Sequence, residues 1–124
     1  MTKTRTERMV DELRELQHNS PDVEGAAVVS VDGLPLASLL QPGIEEERVA
    51  AMSAAMLSLG DRIASELGRG YLNQVYIRGE SGFAILMEVG EEAVLTALTR
   101  QDSKLGLVFL DMRRCVEDHQ KIVG

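Results

Sequence analysis

Hydrophobic positions along this chain repeat with two periods, and the changes between them mark out eight elements. Met9, Val10, Leu13 and Leu16 stand at helical spacing. Thr6 is placed to cap them and His18-Asn19-Ser20-Pro21 to stop them, which predicts a helix over residues 6–18, with His18 at its cation-favouring end. Residues 23–31, rich in Val and Ala, are separated by Asp32-Gly33 from a second apolar run over 34–40. An Asp-Gly pair between two such runs predicts a β-hairpin, since both residues accept positive φ. Pro35 has no N–H for a ladder, so the second strand is expected at a sheet edge.

Gln41-Pro42-Gly43 breaks the chain before a helix predicted over residues 44–67. Glu45, Glu46 and Glu47 suit its N-terminus, and Gly68 is placed to end it. At about 100° per residue, Val49, Met52, Met56, Leu59, Ile63 and Leu67 fall on one side, expected to face the core. The opposite side collects Ala50, Ala51, Ala54, Ser58 and Ser65, with charge confined mainly to Glu47, Asp61 and Arg62. So smooth a face lets a second helix come close, which points to a contact with another copy or another protein. The plain alternative is a solvated surface built from alanine, the best helix former.

Residues 71–78 alternate, with Val75 and Ile77 opposite Gln74 and Tyr76. Residues 83–89 alternate again after Gly79-Glu80-Ser81-Gly82, and Gly90-Glu91-Glu92 leads into 93–99. Such short connections predict an antiparallel meander. Leu105, Val108, Phe109, Met112, Cys115, Val116 and His119 then predict a helix over 105–122. Phe83, Ile85, Met87 and Val89 share one side of their strand while Ala84 and Leu86 make the other apolar too. A strand apolar on both sides needs cover on both. The expected fold is α/β of the α+β kind, in the order α-β-β-α-β-β-β-α. It is a three-layer sandwich in which a five-stranded antiparallel sheet carries one central helix on one face and two helices on the other. One domain is expected over residues 1–124.

Composition narrows the chemistry. With 44% hydrophobic and 27% charged residues the chain is not disordered. A net charge of −7 with no basic stripe argues against nucleic acid. Only 3% of residues are aromatic, too few for the stacking sites of flavins, haem or bases, so no cofactor is expected. The lone Cys115 excludes an internal disulfide. Residues 1–8 are charged and lack the apolar core of a secretory signal, and the longest apolar run, around 107–110, is too short to span a bilayer. A cytoplasmic protein with no membrane insertion is expected.

Cys115 and His119 are four apart and share a helix face, but two ligands do not make a zinc site, and core packing is the expected role. The glycines at 68–70 and 79–82 lack the lysine and hydroxyl of a phosphate-binding loop and read as turns. The acidic clusters at 45–47 and 91–92 lack the ligand spacing of a calcium loop. No nucleophile elbow or paired-histidine zinc motif is present. No catalytic residue, no metal site and no enzyme activity are expected.

The element order, the hairpin phrase Gly25-Ala-Ala-Val-Val-Ser-Val-Asp-Gly-Leu-Pro-Leu-Ala-Ser38 and the helix phrase Ala50-Ala-Met-Ser-Ala-Ala-Met-Leu-Ser-Leu-Gly60 resemble a Roadblock (dynein light chain type, MglB-like) domain over about residues 8–119. The resemblance implies a homodimer or heterodimer built on the central helix and the edge strand after it, here about 49–67 and 71–77. It implies a Ras-like small GTPase as partner and carries over no catalytic residue. The interface candidates are Ala50, Ala51, Ala54, Ser58, Asp61, Arg62, Ser65, Tyr71, Asn73 and Val75. The expected function is a non-enzymatic homodimeric module that binds and regulates such a GTPase. A small-molecule sensor and a structural scaffold subunit are the alternatives.

Overall fold

The middle strands are buried on both sides, and that sets the layering. The computed structural model describes residues 2–123, so Met1 and Gly124, the ends of the expected domain, lie outside the described residues. The elements are α1 (Arg5–Asn19), β1 (Val23–Ser30), β2 (Pro35–Leu39), α2 (Glu46–Glu66), β3 (Val75–Gly79), β4 (Gly82–Val89), β5 (Ala93–Arg100) and α3 (Leu105–Val123). All five strands pair antiparallel in the spatial order β2-β1-β5-β4-β3. Alternate residues of one strand therefore serve different layers. Ala26 and Val28 of β1, Ile85 and Met87 of β4, and Leu95 and Ala97 of β5 pack with Met9, Leu13 and Leu16 of α1 and Val108 and Met112 of α3. Ala27, Val29, Leu86 and Val94 turn the other way, towards Val49, Ala50 and Leu57 of α2. Three layers result, with two helices on one face and one on the other.

Element order and sheet follow the sequence expectation, and three local details depart from it. The N-cap of α1 is Thr4 rather than Thr6: its hydroxyl accepts the Glu7 N–H at 3.1 Å while the Glu7 carboxylate accepts the Thr4 N–H at 3.3 Å. This reciprocal pair serves two N–H groups at once, which a cap at Thr6 would forgo. In the first hairpin only Gly33 takes positive φ, 89°, and Asp32 does not. The third departure matters more. The edge strand begins at Val75, so residues 71–74 are loop and Tyr71 and Asn73 lie off the ladder. Leu72 from this loop packs into the α2-side core, where helical Gly60 leaves room: a Cβ there would come within 2.9 Å of Val75 Cγ2 and 3.2 Å of Leu72 Cδ2.

The two sheet edges differ. β2 starts on Pro35 and meets β1 through a register shift at Val28/Val29. β3, Val-Tyr-Ile-Arg-Gly, has no proline and pairs regularly with β4 from Val75↔Leu86 to Gly79↔Gly82. Proline and bulges blunt an edge against further pairing.

Gly82 closes the β3–β4 turn at φ 150°, where an added Cβ would fall 2.1 Å from the Thr99 carbonyl oxygen. Gly82→Ala is expected to cost roughly 2 kcal/mol or more, read as a lower denaturation midpoint. Gly79→Ala, whose Cβ would meet nothing nearer than 3.6 Å, is the control expected to stay near wild type.

Candidate interaction surface

The central helix is rolled away from the orientation its apolar stripe predicts. Val49, Ala50, Ser53, Leu57 and Ala64 face the sheet, with Ala50 fully buried. Met52 is 64% exposed, and Leu59 and Ile63 are each 50% exposed. The expectation that the Met52/Ile63 side packs on the sheet is therefore overturned, although Val49 and Met56 of the same stripe do pack there, and Ala50 moves from the expected outer face into the core. Side-chain size and one hydrogen bond give the reason. Thr96 of β5 stands between Ala27 and Leu86 on this face of the sheet. Its hydroxyl donates to Ser53 Oγ at 2.7 Å, and both residues are buried. That bond is made only when Ser53 points down, and the small Ala50 and Ala64 let the backbone of α2 settle close to the sheet.

The roll leaves an apolar flank on each side of the contact line. Towards β1–β2, Ala51 and Ser58 are exposed and Ala54 is half-buried, with the hairpin turn close by: a Cβ on Gly33 would lie 3.9 Å from Ala54 Cβ. Towards β3–β4, Met52, Met56 and Leu59 overhang Ile77, Ala84, Leu86 and Leu98. Between them runs an open groove of about 420 Å³, walled almost wholly by apolar side chains. It ends beside β3, where Ile77 is 46% exposed.

Of the other candidates, Asp61, Arg62 and Ser65 are exposed along α2, with Arg62 3.6 Å from the Glu66 carboxylate. Asp61 neighbours Glu88 of β4, and partial burial followed by that second carboxyl pushes the Glu88 carboxyl above its ordinary range. Tyr71 is wholly exposed on its loop, Asn73 is exposed, and Val75 is half-buried at the start of β3 facing α2. The structure thus brings Val75 beside the groove but scatters Tyr71 and Asn73 away from it. Met52, Leu59, Ile63 and Ile77 lie on the two elements expected to pair but were not among the named interface candidates. The available signal was the breadth of uncharged residues around α2: a helix apolar over so much of its circumference must be covered on more than one side.

Cys115 and His119 lie in the core between α1 and α3, as the sequence suggested, and His119 is fully buried. Burial, then the nearby Glu12 and Asp118 carboxylates, push the Cys115 thiol up to about 12. No group of three or more metal-capable side chains forms among the described residues. No helix among them is long and apolar enough to cross a membrane.

A family model described as the Roadblock/LC7 domain matches residues 9–99. An uncharacterised protein of Methanocaldococcus jannaschii is 35% identical over 109 residues, covering 88% of this chain and 95% of that one. Among solved structures, MglB of Myxococcus xanthus superposes with a TM-score of 0.87 at 18% identity, covering 99% of this chain and 92% of that chain. The gliding protein MglB of Thermus thermophilus gives a TM-score of 0.83 at 22% identity, with 98% and 93% covered.

Removing one hydroxyl of the Ser53–Thr96 pair strands the other in the core. Ser53→Ala and Thr96→Val are each expected to cost about 1–3 kcal/mol, and the double variant less than the sum of the two. Urea unfolding of the four-member cycle measures the coupling, and strict additivity would mean the bond does not hold the helix.

Proposed function

Because the chain belongs to the Roadblock/LC7 domain family, we propose that it is a non-enzymatic module that pairs with a second copy of itself and, so paired, binds and regulates a Ras-like small GTPase. The observation that carries the pairing is the continuity of two unsatisfied features. The groove walled by Met52, Leu59 and Ile77 leads directly to β3, an edge strand with no proline and a regular ladder on its inner side. A second copy related by a twofold axis covers both at once, adding its β3 by main-chain hydrogen bonds and its α2 by apolar contact. The other edge, begun by Pro35, suits such addition poorly.

The GTPase half of the reading rests on the family resemblance. A module of this kind acts by binding one arrangement of the partner's switch segments better than the other, which shifts their population and asks for no reactive side chain of its own. That agrees with a chain whose one thiol is buried with its titration pushed up to about 12. A small-molecule sensor is favoured less, because a ligand pocket orients its occupant with convergent polar groups. Here the buried hydroxyls bordering the groove, Ser53 and Thr96, are bonded to each other.

Sedimentation at micromolar concentration is expected to show a dimer, and Leu59→Asp, at a half-exposed position, to weaken it at least about tenfold with unchanged circular dichroism. A wild-type monomer, or a variant that pairs as well as wild type, overturns the pairing. Titration against the purified small GTPases of the same organism, loaded with GDP or a GTP analogue, tests the second half. Preference for one nucleotide state is the expected result, and absent or equal binding overturns the regulatory role.

A further inference from the structure

Sulfur in this chain is divided between the interior and one patch of surface. Met9, Met87 and Met112 lie in the core, none of them more than 3% exposed. Cys115 is buried as well, and burial pushes its thiol up to about 12, so the reactive thiolate is scarce near neutrality. Met52 is different. It is 64% exposed on α2, and half-buried Met56 stands one turn further along the same flank. Both line the groove that leads to β3. Among the described residues, an oxidant arriving from solvent therefore meets sulfur in this groove first.

Oxidation of a thioether reverses what its side chain needs. Unmodified methionine is apolar and adaptable, suited to packing against another surface. Its sulfoxide carries a strongly polar S–O bond whose oxygen accepts hydrogen bonds. The groove provides poorly for such an oxygen. The only hydroxyls of its lining, Ser53 and Thr96, are buried and bonded to each other. Every other lining side chain, from Val49 and Ala55 to Ile77 and Leu98, is apolar. While the groove is open the sulfoxide is hydrated; once it is covered, the oxygen is a buried acceptor without a partner.

We propose that Met52 is a peroxide-reactive site whose oxidation separates the paired copies. This rests on the pairing reading, in which the surface closing over Met52 is the same apolar groove of a second copy. The chemistry is an oxygen transfer. A lone pair of Met52 Sδ attacks one oxygen of hydrogen peroxide, an S–O bond forms as the O–O bond breaks, and the second oxygen leaves with both protons as water. The sulfur is oxidised and the peroxide reduced. A dithiol reductase reverses the step, carrying the oxygen off as water while its two thiols become a disulfide. Symmetry multiplies the effect, since a residue in a twofold interface occurs in it twice. A pair carrying one sulfoxide is expected to bind about tenfold more weakly, and a pair carrying two about a hundredfold. Pairing in turn shields the sulfur, so oxidation runs through the separated copy and slows as protein concentration rises above the dissociation constant.

Sedimentation of the full chain before and after dilute treatment with hydrogen peroxide tests this, with peptide mass spectrometry locating the added oxygen. Met52 should take it up ahead of Met9, Met87 and Met112, and the dissociation constant should rise about a hundredfold with unchanged circular dichroism. Methionine sulfoxide reductases with dithiothreitol should restore the original value. In Met52→Leu/Met56→Leu, compared only with itself, peroxide should alter pairing by less than about twofold. Oxidised wild type that pairs as tightly as reduced protein overturns the site. So does a leucine variant that loses as much pairing on treatment, or a loss in wild type that the reductases leave in place. Should the leucine variant not pair at all, reversal in wild type decides. Reduced wild type that is already monomeric is a separate failure, seen before any peroxide is added, and it removes the pairing itself.

Discussion

Five antiparallel strands whose middle members are apolar on both sides need cover above and below, and this chain divides its cover unequally. At about 4.8 Å per strand the sheet is roughly 20 Å across, while one helix with its side chains is about 10 Å wide. Two helices, α1 and α3, can span one face. α2 alone cannot span the other, and it lies mainly over β1. The exposed Met52 and Leu59, the groove over Ala84 and Leu98, and the bare Ile77 all follow from that shortfall. So does the proposed function, because the uncovered half of the face is where another surface has to go.

Much of this was legible in the sequence. Apolar runs and the turns between them placed β1, β4 and β5 to within a residue or two, and the doubly apolar β4 alone required three layers. Pro35 identified an edge strand correctly. What misled was the assumption that the strongest apolar stripe of a helix faces its own core. In α2 the buried side chains are mostly small ones, Ala50, Ser53 and Ala64, beside Val49 and Leu57. Periodicity weights Met and Ile above Ala and Ser, so it located the stripe and assigned it to the wrong neighbour. The start of β3 was missed for a related reason. Alternation continues through Tyr71 and Asn73, yet the chain is still crossing from helix to sheet there, drawn down by Leu72 against the gap at Gly60.

Buried polar contacts between distant segments leave no local signature at all. Ser53 and Thr96 are 43 residues apart, and nothing around either indicates that the other will meet it. His119 and Met9 are 110 apart, and the contact is to a carbonyl oxygen that every residue possesses. The first pair sits where a helix meets the sheet and the second where two helices of one layer meet, one on each side of the sheet. Each fixes how a helix is set, a task that interchangeable apolar contacts do less sharply.

The unlike edges of the sheet have a consequence for how far association can run. A protein with two receptive edges offers each new copy another place to attach, and the product is a fibre. Here β2 begins with a residue that cannot donate, and its ladder is broken by a register shift, while β3 is regular. A molecule with one receptive edge uses it up in its first encounter. Strand addition on such a sheet is self-terminating: two copies meet, the outward edges are both the blunt kind, and growth stops at a finite particle.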